Sequence, residues 1–376
     1  MIAHSIVQEL IATTMLVYNY GKLFEMNEDD NVETFLNNID PKVIENMSPE
    51  RQEVIKNIPN YAPNGKVMEF IDDTLTDFQA GITKSDSKKR FVVVFRGTES
   101  NTDWLYDFLI CKHNYKDNIR VHSGFHRQLF SNSNYFKLTS CLINLLAQDE
   151  YKDYSVYITG HSLGGALATM YGYFLSKELC NNDVTVVSFA SPRVGNEDFK
   201  QDFDNQKNLK CYRVTNNRDI VTATPMMYYK HVGINIHLTN NNYQIFNNYD
   251  YNLNYMFSLW RCWSVGDHSI DLYYNRLKKH IWNNESVSID VNDIEIHESI
   301  DSLVTSESNK TNISNVTSGE FTSVRLDSKE DDETIKVNND ENNEVNNDEN
   351  NDENNEMIND DESNSTNSKE DPIVDI

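Results

Sequence analysis

The chain has 376 residues and a formal net charge of −26. Residues 283–376 are dominated by Asn, Asp, Glu and Ser and carry 27 Asp and Glu against five Lys and Arg, so a net charge of −22 out of the chain's −26 lies there. That composition excludes a packed core in the last quarter, and the absence of a basic patch in the near-neutral remainder excludes a nucleic-acid-binding footprint.

Residues 1–282 are long enough for one large α/β domain, with a helical N-terminal part over 1–65, a core over 66–282 and an acidic disordered tail over 283–376. Residues 1–25 read as an amphipathic helix. Its apolar positions are interrupted by His4, Gln8 and Glu9, and Met1 to Tyr20 has no Lys or Arg, which argues against a secretory signal. No run approaches the ~18 apolar residues of a membrane span. The five cysteines, Cys111, Cys141, Cys180, Cys211 and Cys262, are scattered and form no C-x-x-C pair, so neither a disulfide framework nor a zinc site is expected. These features point to a soluble, cytoplasmic, reduced protein.

A loop-rich, partly helical region runs to about Pro63. Strands follow at Val67–Ile71, Phe78–Ile82 and Phe91–Phe95, the last an unbroken apolar run of the kind buried on both faces. Residues 124–148 fit one helix, with Phe136, Leu138, Cys141, Leu142, Leu145 and Leu146 as its apolar positions. A β run at Ser155–Thr159 precedes a helix over Leu163–Leu179, and further strands are expected at 184–189, 210–214 and 231–238. A helix from about His268 to Lys279 closes the domain. Strands alternating with helices imply a mostly parallel sheet covered on both faces.

Gly160-His161-Ser162-Leu163-Gly164 has the G-x-S-x-G form of a nucleophile elbow. The pentapeptide alone is weak evidence, but it lies directly after a β run and directly before the helix-forming stretch Ala166–Tyr171, the strand–turn–helix setting that an elbow requires. Glycines at 160 and 164 remove Cβ groups that would collide across so tight a turn. At the helix start the backbone N–H of Leu163 is free to donate to an oxyanion.

The stretch Gly160–Ala168 resembles the elbow of the class 3, fungal-type lipases, a family of the α/β-hydrolase superfamily. Val93–Thr98 resembles the family's strand and oxyanion loop, Asp103–Asp107 the segment at its lid, Val121–Phe125 its V-H-x-G-F block, and Ser191–Asn196 its P-R-V-G-N loop. These blocks span roughly residues 65 to 280 in the family's order. The resemblance implies an α/β-hydrolase fold, a nucleophile at Ser162, oxyanion donors at Thr98 and the Leu163 N–H, and a lid bearing Trp104, Leu105 and Phe108 over an acyl pocket. The alternative reading is a loop whose Trp104, Phe108 and Leu109 cover the core; the aromatic stretch Tyr243–Trp263 either walls the same pocket or, equally well, packs in the core.

A serine needs a base to take its proton and a buried carboxylate to orient that base. In α/β-hydrolases the chain order is Ser, acid, His. Of the acids after Ser162, Asp219 stands just beyond a β run, and Ile220, Val221 and Pro225 resemble the family's D-x-V-x-x-x-P pattern. Candidate bases are His231 and His237 on one expected strand, His280, and His268 at the opening of the last helix; the family's D-H-x-x-Y-like block selects His268. His122 and His161 flank the site with no role assigned by chemistry.

The expected reaction is hydrolysis of lipid esters, triacylglycerol lipase-like, at a lipid–water interface and without metal or organic cofactor. A phospholipase A, a short-chain carboxylesterase and a catalytically silent lipase-like scaffold are the alternatives.

Overall fold

In the computed structural model of the protein, the described residues are 1–18, 40–61, 65–97, 112–179, 182–225, 228–247 and 264–282, less the side chains of 58, 59, 61, 112–114 and 116. All of them lie in the first of two units, Met1–Glu307; the second is Ser308–Ile376. The acidic stretch 283–376 is outside the described residues, as are 19–25 of the expected first helix.

The apolar run at Phe91–Phe95 forms β3 (Arg90–Phe95), buried along its whole length. It sits inside an eight-stranded sheet with β1 (Lys66–Asp73), β2 (Phe78–Ser85), β6 (Ser155–His161), β7 (Val184–Phe189), β8 (Leu209–Asn216), β9 (Ile234–Leu238) and β10 (Tyr243–Asn247), in the order β1-β2-β3-β6-β7-β8-β9-β10. From β3 through β9 every pairing is parallel. The outer pairings β1–β2, β2–β3 and β9–β10 are antiparallel. A separate hairpin joins β4 (Lys112–Lys116) to β5 (Ile119–His122).

Because side chains alternate across a strand, the central strands feed two cores. Phe91, Val93, Phe95, Val156 and Ile158 pack with Leu129 of α4 (Ser123–Phe130), Leu138 and Leu142 of α5 (Asn134–Leu146), Leu167 and Tyr171 of α6 (Leu163–Glu178), and Phe199 of α7 (Glu197–Asp204). Val92, Val94, Val187 and Phe189 pack on the other face with Val7, Leu10 and Ile11 of α1 (His4–Val17), Val54 of α3 (Pro49–Tyr61), and Tyr273 and Leu277 of α8 (Ile270–Lys279). A short α2 (Pro41–Glu45) precedes α3. Each such aliphatic side chain contributes roughly 1.5–3 kcal/mol by leaving water, so the sheet, covered on both faces as expected, is a rigid platform.

Two expectations need correction. The single helix over 124–148 is two helices, α4 and α5, separated by a 3-10 turn at Ser131–Ser133 in which Asn132 (φ 52°) and Ser133 (φ 59°) are left-handed. The amides of Asn132 and Asn134 donate to Oδ2 of Asp73 at 2.8 Å each, so a tertiary contact with the end of β1 holds a break that periodicity does not reveal. His231 does not share a strand with His237. Gly233 adopts φ 66°, and a Cβ there would lie 2.4 Å from the carbonyl oxygen of Cys211, so β9 starts only after it. Part of the aromatic stretch, Tyr243–Asn247, is the edge strand β10, and 248–263 lies outside the described residues.

Candidate active site

At the C-terminal end of β6 the chain reverses within one residue. Ser162 has φ 59° and ψ −124°, and α6 begins at Leu163. A non-glycine residue held this way stores on the order of 1–3 kcal/mol of strain, and neighbouring bonds keep it there: the Ser162 N–H donates to the Phe189 carbonyl at 2.9 Å, and its carbonyl accepts from Ala166 N–H at 3.1 Å. The turn also requires bare backbone on either side. A Cβ on Gly160 would lie 2.3 Å from the carbonyl carbon of Gly164, and one on Gly164 would lie 2.4 Å from the Phe95 carbonyl oxygen. Leu163 is the first residue of α6, so its N–H has no carbonyl one turn back to bond.

Two loops deliver the other members. Asp219 follows β8, and His268 ends a 3-10 turn at Gly266–His268 ahead of α8. The loops are stitched together: Ser264 N–H donates to Arg218 O at 2.9 Å, and the Asn216 side-chain amide donates to Asp267 O at 2.9 Å. Nδ1 of His268 is 3.0 Å from both carboxylate oxygens of Asp219, and Nε2 is 2.8 Å from Oγ of Ser162. With Nδ1–H donating to Asp219, Nε2 is left as the acceptor for the Ser162 hydroxyl. The carboxylate side chain is wholly buried, and it also accepts from the Tyr273 hydroxyl at 2.7 Å and from Val221 N–H at 3.0 Å.

The structure thus brings together Ser162, Asp219, His268 and the start of α6 at Leu163. Thr98, Trp104, Leu105 and Phe108 lie outside the described residues. His237 is buried, with Nδ1 3.1 Å from the Thr215 hydroxyl, and burial first, then the charges of Arg276 and Arg213, push it down to about 4. His231 reaches the Thr222 carbonyl at 2.6 Å, and burial together with Arg213 and Arg193 holds it well below its ordinary value. Nδ1 of His122 accepts from Phe125 N–H at the start of α4.

Two residues not singled out in sequence belong to the site. Tyr273 accepts from Asn216 N–H at 2.8 Å while donating to Asp219, so it ties the acid to the end of β8. Tyr18, just past α1, contacts His161 through its hydroxyl, 3.1 Å from Nδ1. The signal for Tyr273 was its place one turn into the helix that His268 precedes; Tyr18 has no local signal.

A serine hydroxyl bonded to an imidazole, itself oriented by a buried carboxylate, is an arrangement able to form a covalent acyl intermediate. Among the described residues no group of three or more His, Cys, Asp or Glu could hold a metal ion, and no helix is long and apolar enough to cross a membrane.

Residues 92–229 match the lipase (class 3) family. The chain is 35% identical over 171 residues to phospholipase A1-Ialpha2, chloroplastic, of Arabidopsis thaliana, covering 38% of this chain and 35% of that one. It is 31% identical over 173 residues to the lipase of Rhizopus niveus, covering 44% and 42%. The matches therefore span less than half the length of these relatives. Among solved structures, the Rhizomucor miehei triacylglyceride lipase superposes with a TM-score of 0.55 at 20% identity, over 70% of this chain and 91% of that one, a likeness of fold.

Proposed function

We infer that this chain, whose residues 92–229 belong to the class 3 lipase family, hydrolyses carboxylic esters of lipids through an acyl-enzyme on Ser162. The observation that carries the reading is the continuous array of Ser162 Oγ, His268 and Asp219, set on a strained turn between a parallel strand and a helix.

In this reading Oγ attacks the ester carbonyl while Nε2 of His268 takes the hydroxyl proton. The carbonyl becomes an oxyanion, received by the Leu163 N–H and by Thr98. Collapse of the tetrahedral adduct breaks the ester bond, and the imidazolium hands its proton to the departing alkoxide. Water then attacks the acyl-enzyme with the same base, releasing the fatty acid and restoring Ser162. Asp219 holds the Nδ1–H tautomer and stabilises the imidazolium without itself taking a proton. Each oxyanion donor is expected to contribute about 100- to 1000-fold in turnover.

Relatives named as lipases and as phospholipases A1 share the matched segment, which supports a lipid ester as substrate and keeps a phospholipase A activity as the second reading. The trio of Trp104, Leu105 and Phe108 is proposed as lid and acyl pocket. A cytoplasmic site of action is proposed; the plant phospholipase A1 that shares the matched segment is named as chloroplastic.

Labelling by a fluorophosphonate probe tests the reading. Wild-type protein should be modified at one serine and Ser162→Ala should not; folded wild-type protein that takes up no probe would sink the hydrolase and restore the silent scaffold. A panel of triacylglycerols, phospholipids and p-nitrophenyl esters then ranks the substrate classes, and a strict preference for acetyl esters would overturn the lipid assignment.

A further inference from the structure

We propose that Tyr18 is a positioning residue for catalysis: its hydroxyl joins the Gly97 backbone to the His161 imidazole and, through that ring, fixes the backbone of His268. The proposal rests on the hydrolase reading above for its consequence in turnover, and on geometry for its existence.

The hydroxyl of Tyr18 stands where three parts of the site meet. It lies 3.1 Å from Nδ1 of His161, and it accepts from the Gly97 N–H. Nε2 of His161 is 2.8 Å from the carbonyl oxygen of His268. Gly97 is clamped from both sides, since a Cβ there would lie 2.4 Å from the Tyr18 hydroxyl oxygen and 2.6 Å from the His161 carbonyl oxygen. No side chain fits at 97, and the residue after it is Thr98. The Tyr18 ring is itself held in place, buried beneath the Arg51 guanidinium at 5.8 Å.

The bonds have one possible direction. A carbonyl can only accept, so His161 must donate from Nε2 to His268 O. A neutral imidazole then has only an acceptor at Nδ1, so Tyr18 must donate to it, and its lone pairs are left for Gly97 N–H. The chain runs Gly97 N–H to Tyr18 O–H to Nδ1 of His161, then from Nε2–H to His268 O. Burial, and after it the nearby charge of His268, hold His161 well below its ordinary titration, so the ring stays in the neutral form that this direction demands. The hydroxyl therefore links the approach to the oxyanion loop, the residue before the nucleophile, and the backbone of the base. It touches none of the reacting atoms.

A misplacement of the base by a fraction of an ångström lowers turnover without weakening substrate binding. Tyr18→Phe keeps the ring under Arg51 and removes only the hydroxyl. It should lower kcat per active site about 10-fold, the effect of one lost hydrogen bond, with KM and the fraction of phosphonate-titratable sites unchanged. His161→Gln retains an amide donor toward His268 O but severs the link to Tyr18, so adding Tyr18→Phe to it should cause no further loss, where independent effects would multiply. The second readout needs no turnover. In NMR of the full chain, Tyr18→Phe should move the His161 Nδ1 resonance and the low-field Nδ1 proton of His268. An unmoved His268 proton, multiplicative losses, or a drop confined to the titratable fraction each overturns the proposal. Failure of wild-type protein to take up phosphonate overturns the hydrolase reading alone, because the NMR comparison still decides whether the strut exists.

Discussion

The hydroxyl of Tyr273 donates to Oδ2 of Asp219 at 2.7 Å, 54 residues away in the chain. Together with Val221 N–H and the His268 ring it gives the buried carboxylate three donors, and it accepts in turn from the Asn216 N–H at the end of β8. Tyr273→Phe leaves Asp219 short of one donor and the Asn216 N–H without its acceptor. It is expected to lower unfolding stability by about 1–3 kcal/mol and kcat by roughly 10-fold with KM unchanged, measured by urea unfolding and ester kinetics.

The elbow tolerates no added carbon at its flanks. A methyl group on Gly160 would sit 2.3 Å from the Gly164 backbone, which cannot retreat without lifting α6 from the sheet. Gly160→Ala is expected to destabilise by more than about 4 kcal/mol. Loss of the cooperative unfolding transition and of phosphonate labelling, with Ser162→Ala retaining the transition, checks this.

Acid should weaken the fold through its buried histidines. His161, His231 and His237 are all held below the ordinary histidine value by burial, His237 at about 4. In the unfolded chain each takes a proton near pH 6.5; in the folded chain each stays neutral well below that. Between about pH 6.5 and 4 the unfolded state therefore binds more protons, and stability, complete above that window, falls as pH drops through it. The slope is at most about 1.4 kcal/mol per pH unit for each histidine. Urea midpoints between pH 7.5 and 5 should fall, and His237→Gln should flatten that fall.

The C-terminal boundary of the folded unit is proposed at Trp282. Its ring is buried, its Nε1–H donates to the Ile2 carbonyl at 3.1 Å, and it stacks edge-on against His4 at 4.4 Å. Removing residues 283–376 should leave turnover and the urea midpoint unchanged, whereas Trp282→Ala should lower stability by about 3–5 kcal/mol.

Local chemistry carried much of this in the sequence. The run Phe91–Phe95 announced a strand buried on both faces, and Gly160, Ser162 and Gly164 announced the elbow, because both depend on residues adjacent in the chain. Asp219 and His268 were reachable from chain order and from short blocks around them. What local reading missed is what tertiary contact decides: the break at Asn132, held by Asp73; the late start of β9, set by Gly233 against Cys211; and Tyr18, whose partners lie 143 residues away or at the end of another strand.

The order of the strands also sets when the site comes into being. Ser162 and His268 are 106 residues apart, and His268 follows the last strand of the sheet, which turns back antiparallel on β9. Parallel pairings are non-local and form slowly, and the His268 loop has nothing to seat on until β8 and its acid are in position. Reactivity at Ser162, on the proposed reading, is therefore expected to appear only after the sheet has formed, and in a refolding experiment helix content should recover before phosphonate labelling does.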